Sequence, residues 1–110
     1  MKETRVLIEH ALDCIGRIQN YTSGGKSAFM SSGLIQDAVV RNLQVMCESV
    51  SRIPESVRTV NDEIEWRGIS GLRNILVHDY LGVDVELVWQ VIENRLPELA
   101  KSLEKLISSI

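Results

Sequence analysis

Aromatic residues make up only 5% of this chain, so aliphatic side chains must fill its core, which suits packed helices better than a β-sandwich. Cysteine occurs twice, at Cys14 and Cys47, with no CxxC spacing and no ligand-rich surroundings, which argues against a metal or disulfide framework. Both sit in apolar periodic segments and read as buried free thiols of a reducing compartment, the cytoplasm. No apolar run approaches the ~20 residues needed to span a bilayer, so no membrane segment is expected. Nor does a basic stretch precede an apolar one at the start, where Glu3, Glu9, His10 and Asp13 intervene; the expectation is no secretion signal. Charge of one sign is missing too. Lys+Arg number 12 against 15 Asp+Glu, a net charge of −3 in a chain that is 25% charged and 45% hydrophobic. Those proportions exclude a disordered or supercharged protein. At 110 residues the expectation is one domain, residues 1–110, burying somewhat over ~60% of its unfolded surface.

What the chain does have is helical periodicity almost throughout. Val6, Leu7, Ala11, Leu12, Cys14, Ile15 and Ile18 recur at three- and four-residue steps, the mark of an amphipathic helix. The stretch from Asn20 to Gly25 breaks that period. Ser31 or Ser32 can cap a second helix through Leu34, Ile35, Ala38, Val39, Asn42, Leu43, Met46, Cys47 and Val50, ended by Pro54. Residues 54–64 read as a loop or a short helical turn. A third helix starts near Ile64 and carries Trp66, Ile69, Leu72, Arg73, Leu76 and Val77 toward Tyr80. Gly68 and Gly71 weaken it by up to ~1 kcal/mol each relative to alanine, but small residues three apart let another backbone pack tightly against it. Gly82 breaks this helix, and Asp84 caps the next, from Val85 to about Asn94. A last helix follows with Asn94 as cap, Pro97 in its first turn and a stripe of Leu96, Leu99, Leu103, Leu106 and Ile107. The fold class is all-α: an antiparallel bundle of four long helices plus a short one.

The sharpest constellation is Arg73-Asn74-Ile75-Leu76-Val77-His78-Asp79-Tyr80. On a helix Asn74 and His78 share a face, and Tyr80 falls on the side of Arg73. Arg73 and His78 stand about 140° apart around the axis, so only a long arginine side chain brings guanidinium and imidazole together. The set offers a permanent cation for phosphate, a group that titrates near neutral pH, and polar neighbours to hold both. That is what cleavage of a phosphodiester by a ribose hydroxyl requires, without a metal. The competing reading is a solvated arginine and a histidine placed at a helix C-terminus, where a cation is favoured.

Arg73-x4-His78-x-Tyr80 resembles the motif of the HEPN superfamily, specifically its HepT-like toxins. The likeness extends along the chain: Gln36-Asp37-Ala38-Val39-Val40-Arg41-Asn42-Leu43 is similar to that family's second-helix signature. Trp66-Arg67, Gly71-Leu72-Arg73-Asn74 and His78-Asp79-Tyr80-Leu81-Gly82-Val83-Asp84 resemble its central block, and Val88-Trp89 with Leu96-Pro97 its C-terminal segment. The resemblance implies a helical homodimer that acts as a metal-independent endoribonuclease, the toxin of a type VII-like toxin–antitoxin pair, with two motifs facing each other across a shared cleft. In it Arg73 and His78 are the catalytic pair, Asn74 and Tyr80 bind or orient substrate, and Asp79 could hold the histidine tautomer. No cofactor serves the cleavage. The implied partners are RNA and a small nucleotidyltransferase antitoxin, which uses ATP and Mg²⁺ to transfer AMP to Tyr80. The alternative within the superfamily is a non-catalytic nucleotide-binding or scaffold subunit that docks such a nucleotidyltransferase.

RNA binding ordinarily leaves a basic footprint, yet the isoelectric point is near 5.3. Arg41, Arg52, Arg58, Arg67 and Arg73 are offset by Glu48, Glu55, Asp62, Glu63 and Glu65, so affinity has to come from a local arginine cluster. Gly25-Lys26-Ser27 copies the end of a phosphate-binding loop, but Asn20 stands where its first glycine belongs and no strand precedes it; an interhelical loop is the better reading. Asp62, Glu63 and Glu65 lack a histidine or second acidic motif and read as a solvated acidic loop. His10 reads as exposed, and Trp66 and Trp89 as core or interface anchors.

Overall fold

The computed structural model describes residues 2–78 and 82–110, and among them every regular element is helical. Helix α1 (Lys2–Tyr21) turns Ile8, Ala11, Cys14, Ile15 and Ile18 inward on one stripe. The Thr22 hydroxyl stops it by donating to the Ile18 carbonyl at 2.8 Å. Gly25 follows with φ +89°, a left-handed conformation that costs a side-chain-bearing residue. That turn opens a short helix, α2 (Gly25–Met30), where the sequence reads as loop. Phe29 is the reason it exists. Its ring is buried 5.4 Å from that of Trp89, and one amphipathic turn is enough to bring it there.

Ser32 caps α3 (Gly33–Ser51), its hydroxyl accepting from the Ile35 N–H at 3.1 Å. Val39, Leu43, Met46, Cys47 and Val50 form the buried stripe of α3 and close on that of α1. Each such aliphatic side chain is worth roughly 1.5–3 kcal/mol of burial. Pro54 leads into α4 (Glu55–Arg58), the short helical turn expected there. Helix α5 (Trp66–His78) packs on α3; Gln44 donates to the Leu76 carbonyl at 2.9 Å and Glu48 reaches Arg73, so the two helices run antiparallel. Helix α1 likewise runs against α7, with the Arg5 guanidinium donating to the Ile107 carbonyl at 3.3 Å.

Asp84 caps α6 (Val85–Gln90) as expected, accepting from the Glu86 and Leu87 N–H groups at 3.0 and 3.4 Å. The break expected at Asn94 is absent. A π-helical turn, Val91–Arg95, carries α6 directly into α7 (Leu96–Ser108), and the Leu96 N–H donates to the Val91 carbonyl five residues back. Pro97 has no N–H and its ring presses on the preceding turn, and one widened turn accommodates both without ending the helix. The glycine expectation also changes. A Cβ at Gly71 would meet nothing within 4 Å, and at Gly68 only the neighbouring Glu65 side chain, so no other helix of the chain packs tightly there. No described helix is long and apolar enough to cross a membrane.

Candidate functional site

Helix α5 carries the motif, and its burial pattern sorts the motif residues. Ile69 and Leu76 point into the core, which fixes the helix rotation. Arg73 then falls at the core edge facing α3, while Asn74, His78 and Arg67 cluster on the solvent face about 100–140° further round. The Arg73 Nε lies 2.7 Å from Glu48 Oε2, with both side chains partly exposed (41% and 44%). That Nε is buried and its N–H does not point along the line to the carboxylate, so the contact is an ion pair rather than a hydrogen bond. Glu48 also reaches the Arg52 Nε at 3.6 Å, one turn along α3. Two guanidiniums thus share one carboxylate. Beneath them Cys47 is fully buried; burial pushes its thiol up from 9.0 to about 12, with Arg73 pulling it down and Glu48 adding to the rise. It stays a neutral spacer under the charges. Burial raises Cys14 in the same way, against a smaller opposing pull from Arg17.

His78 is exposed in the last described turn of α5, and no hydrogen bond joins it to Arg73 or Asn74. The motif therefore presents its cation and its imidazole on different sides of one helix. Asp79 and Tyr80 lie outside the described residues. Glu48 is the functional candidate that sequence reasoning missed. Its spacing to Arg52 is legible, but its pairing with Arg73 crosses between helices and leaves no trace in the local pattern.

Two grooves flank α5. The larger, 620 Å³, runs between α5 and α6–α7 along Gly68, Gly71, Leu72, Ile75 and Leu87, with an Arg95–Glu65 ion pair of 2.7 Å at that end of the fold. The smaller, 360 Å³, lies across α1, α3 and α5 and includes Arg41, Glu48, Arg52 and Val77. Inside it the His10 Nδ1 and the Ser49 hydroxyl are hydrogen-bonded at 3.1 Å. The remaining candidates take structural roles. Lys26 pairs with Glu86 at 2.6 Å and ties α2 to α6, while Glu65 is the partner of Arg95. Trp89 is buried, and Trp66 is half-buried with its indole N–H donating to the Asn61 carbonyl at 3.1 Å. Among the described residues no group of three or more His, Cys, Asp or Glu could hold a metal ion.

Residues 11–106 match the family described as ribonuclease HepT-like. A Methanocaldococcus jannaschii protein named "Gamma-glutamylcyclotransferase and putative RNase" is 29% identical over 110 residues, which cover 99% of this chain and 50% of that protein. The chain thus spans about half the length of that relative. The "Probable ribonuclease HepT" of Thermococcus cleftensis is 35% identical over 78 residues, 71% of each chain. The "mRNA nuclease HepT" of Shewanella oneidensis is 29% identical over 117 aligned positions, 83% of this chain and 86% of the relative. No solved structure gives a significant match.

Proposed function

The chain belongs to the HepT-like ribonuclease family, and we propose that it is a metal-independent endoribonuclease, the toxin of a toxin–antitoxin pair. The observation that carries this reading is the arrangement on α5: Arg73 is anchored against α3 by Glu48, and His78 stays in solvent on the same helix. An anchored guanidinium can meet the charge that builds on a phosphate in the transition state without reorganising. An exposed imidazole has one nitrogen to accept a proton and another to donate one, so His78 serves as general base toward the ribose 2′-hydroxyl or as acid toward the leaving oxygen. Asn74, one turn before His78 on the same face, orients the phosphate or the ring.

One chain leaves Arg73 and His78 about 140° apart, so a second copy completes the site. The close approach uses Gly68 and Gly71, beside which Ile75 and Leu87 are 44% and 39% exposed. His78, about 20° from Gly71 around α5, then lies at the seam beside its counterpart, while Arg73 stays on the α3 side of the helix. Tyr80 receives AMP from a nucleotidyltransferase antitoxin, which draws on ATP and Mg²⁺; the added phosphate pairs with Arg73 and blocks the cleft.

The deciding experiment is cleavage of single-stranded RNA by the purified chain in EDTA, with product ends mapped by mass. The expected products carry a 2′,3′-cyclic phosphate or the 3′-phosphate derived from it. His78→Ala should lose about 10²-fold or more in rate. A His78→Ala protein that cuts as fast as wild type overturns the assignment.

A further inference from the structure

We infer that the groove across α1, α3 and α5 is a second phosphate-binding track, which holds the RNA strand on either side of the phosphate taken by Arg73. This rests on the ribonuclease reading above. Arg41, Glu48 and the C-cap residue Arg52 lie at i, i+7 and i+11 along α3, within about 40° of one another around the axis, so they form one stripe roughly 16 Å long. Glu48 in that stripe is already shared between Arg73 and Arg52. Three guanidiniums against one carboxylate leave this strip locally cationic on a chain of net charge −3. A local cation stripe on an acidic protein is the footprint that RNA affinity demands and that overall composition hides.

The groove has the build of a strand site as well as the charge. Its 360 Å³ lies at the lower end of the range for small-ligand pockets, about 300–1,000 Å³. Leu7 and Val77 give it apolar walls for a base or ribose, and the hydrogen-bonded His10–Ser49 pair gives polar groups between them. Proteins that hold single strands set surfaces for the bases beside a cationic path along the backbone; here aliphatic contact with Leu7 and Val77 takes the place of aromatic stacking. Placement agrees too. Val77 lies on the opposite side of α5 from Gly68, nine residues or about 180° away, so a second chain seated on the glycine flank leaves this groove open.

The test measures binding of a short single-stranded oligoribonucleotide to a His78→Ala protein, which binds without cutting, over a series of salt concentrations. Arg41→Ala and Arg52→Ala are added singly, with Lys101→Ala as an equal charge loss on α7. Each groove variant should weaken binding about tenfold at low salt, the loss of one charge-assisted contact. Each should also lower the slope of log affinity against log salt by about 0.7, the value for one phosphate on a single strand. Arg41→Lys should keep the slope, and Lys101→Ala should change neither quantity. If RNA is bound and wild-type protein cleaves it, but the groove variants keep the parent slope, the track is wrong and the nuclease reading stands. If the His78→Ala parent does not bind RNA and the wild-type protein does not cleave it, both fall together.

Discussion

Helices α1 and α3 bury long apolar stripes in each other, whereas α5 buries little of itself. On the first pair Ile8, Ala11, Cys14, Leu43 and Cys47 are all 0% exposed. On α5 only Ile69 and Leu76 are buried, while Ile75 and Val77 are 44% and 45% exposed. The facing stripes of α1 and α3 form a scaffold whose residues answer to packing, and in the proposed reading α5 is a carrier whose exposed residues answer to what binds there. Substitutions on the two should therefore fail in different ways.

The largest effect on stability belongs to the scaffold. Leu43→Ala should cost about 2–5 kcal/mol in urea denaturation, because a fully buried side chain is removed from a closed interface. A loss below 1 kcal/mol would mean that α1 and α3 are not the rigid half. Arg73→Ala reverses the pattern. It should reduce RNA cleavage by about 10²-fold, near 2.7 kcal/mol of barrier, while stability moves by less than about 1 kcal/mol, the usual worth of an exposed ion pair such as that with Glu48. Equal losses in activity and stability would erase the distinction between scaffold and carrier.

Gly71→Leu sharpens it further. In the single chain a Cβ there meets nothing within 4 Å, so monomer stability should hold or rise by up to ~1 kcal/mol as helix propensity improves. Light scattering should nevertheless shift from about twice 12.4 kDa toward 12.4 kDa, since in the proposed dimer the second chain's backbone could no longer approach. A Gly71→Leu protein that remains dimeric places the interface elsewhere.

At neutral pH the smallest effect is at Cys47, where scaffold and carrier touch. Its folded thiol keeps its proton up to about pH 12, against 9.0 ordinarily. Between those values the unfolded chain has given up a proton that the folded chain still holds, so rising pH favours unfolding. The contribution is intact below pH 9 and drains away above it, at up to ~1.4 kcal/mol per pH unit. Cys47→Ala should flatten that alkaline slope, and neither thiol should react with iodoacetamide at pH 8 in the native state. Rapid native alkylation of Cys47 would show that the floor beneath Arg73 opens.

Much of this was legible from residue order alone. The periodicity of α1 and α3, a serine cap at Ser31 or Ser32, the Asp84 cap, the end of α3 before Pro54 and the burial of both cysteines all follow from local rules, and all are present, with Ser32 as the serine that caps. So was the family, because Arg73, His78 and the blocks around them are read in sequence. The α2 helix and the unbroken run through Pro97 were not. Phe29 forms its helical turn because Trp89 is there to receive it, 60 residues away, and the π-helical turn absorbs a proline that local rules place at a new helix start.

The electrostatic setting of the motif belongs to the same second class. Sequence determined that Arg73 and His78 lie on one helix about 140° apart, because helical spacing alone dictates it, and left the arginine side chain free to reach the imidazole. Only tertiary structure decided that Arg73 meets Glu48, that Glu48 is shared with Arg52, and that His10 reaches Ser49 across 39 positions. The reason is range. Helix propensity, capping and periodicity act within a few residues, whereas an ion pair between α3 and α5 exists only once the buried stripes have set the rotation and register of both helices.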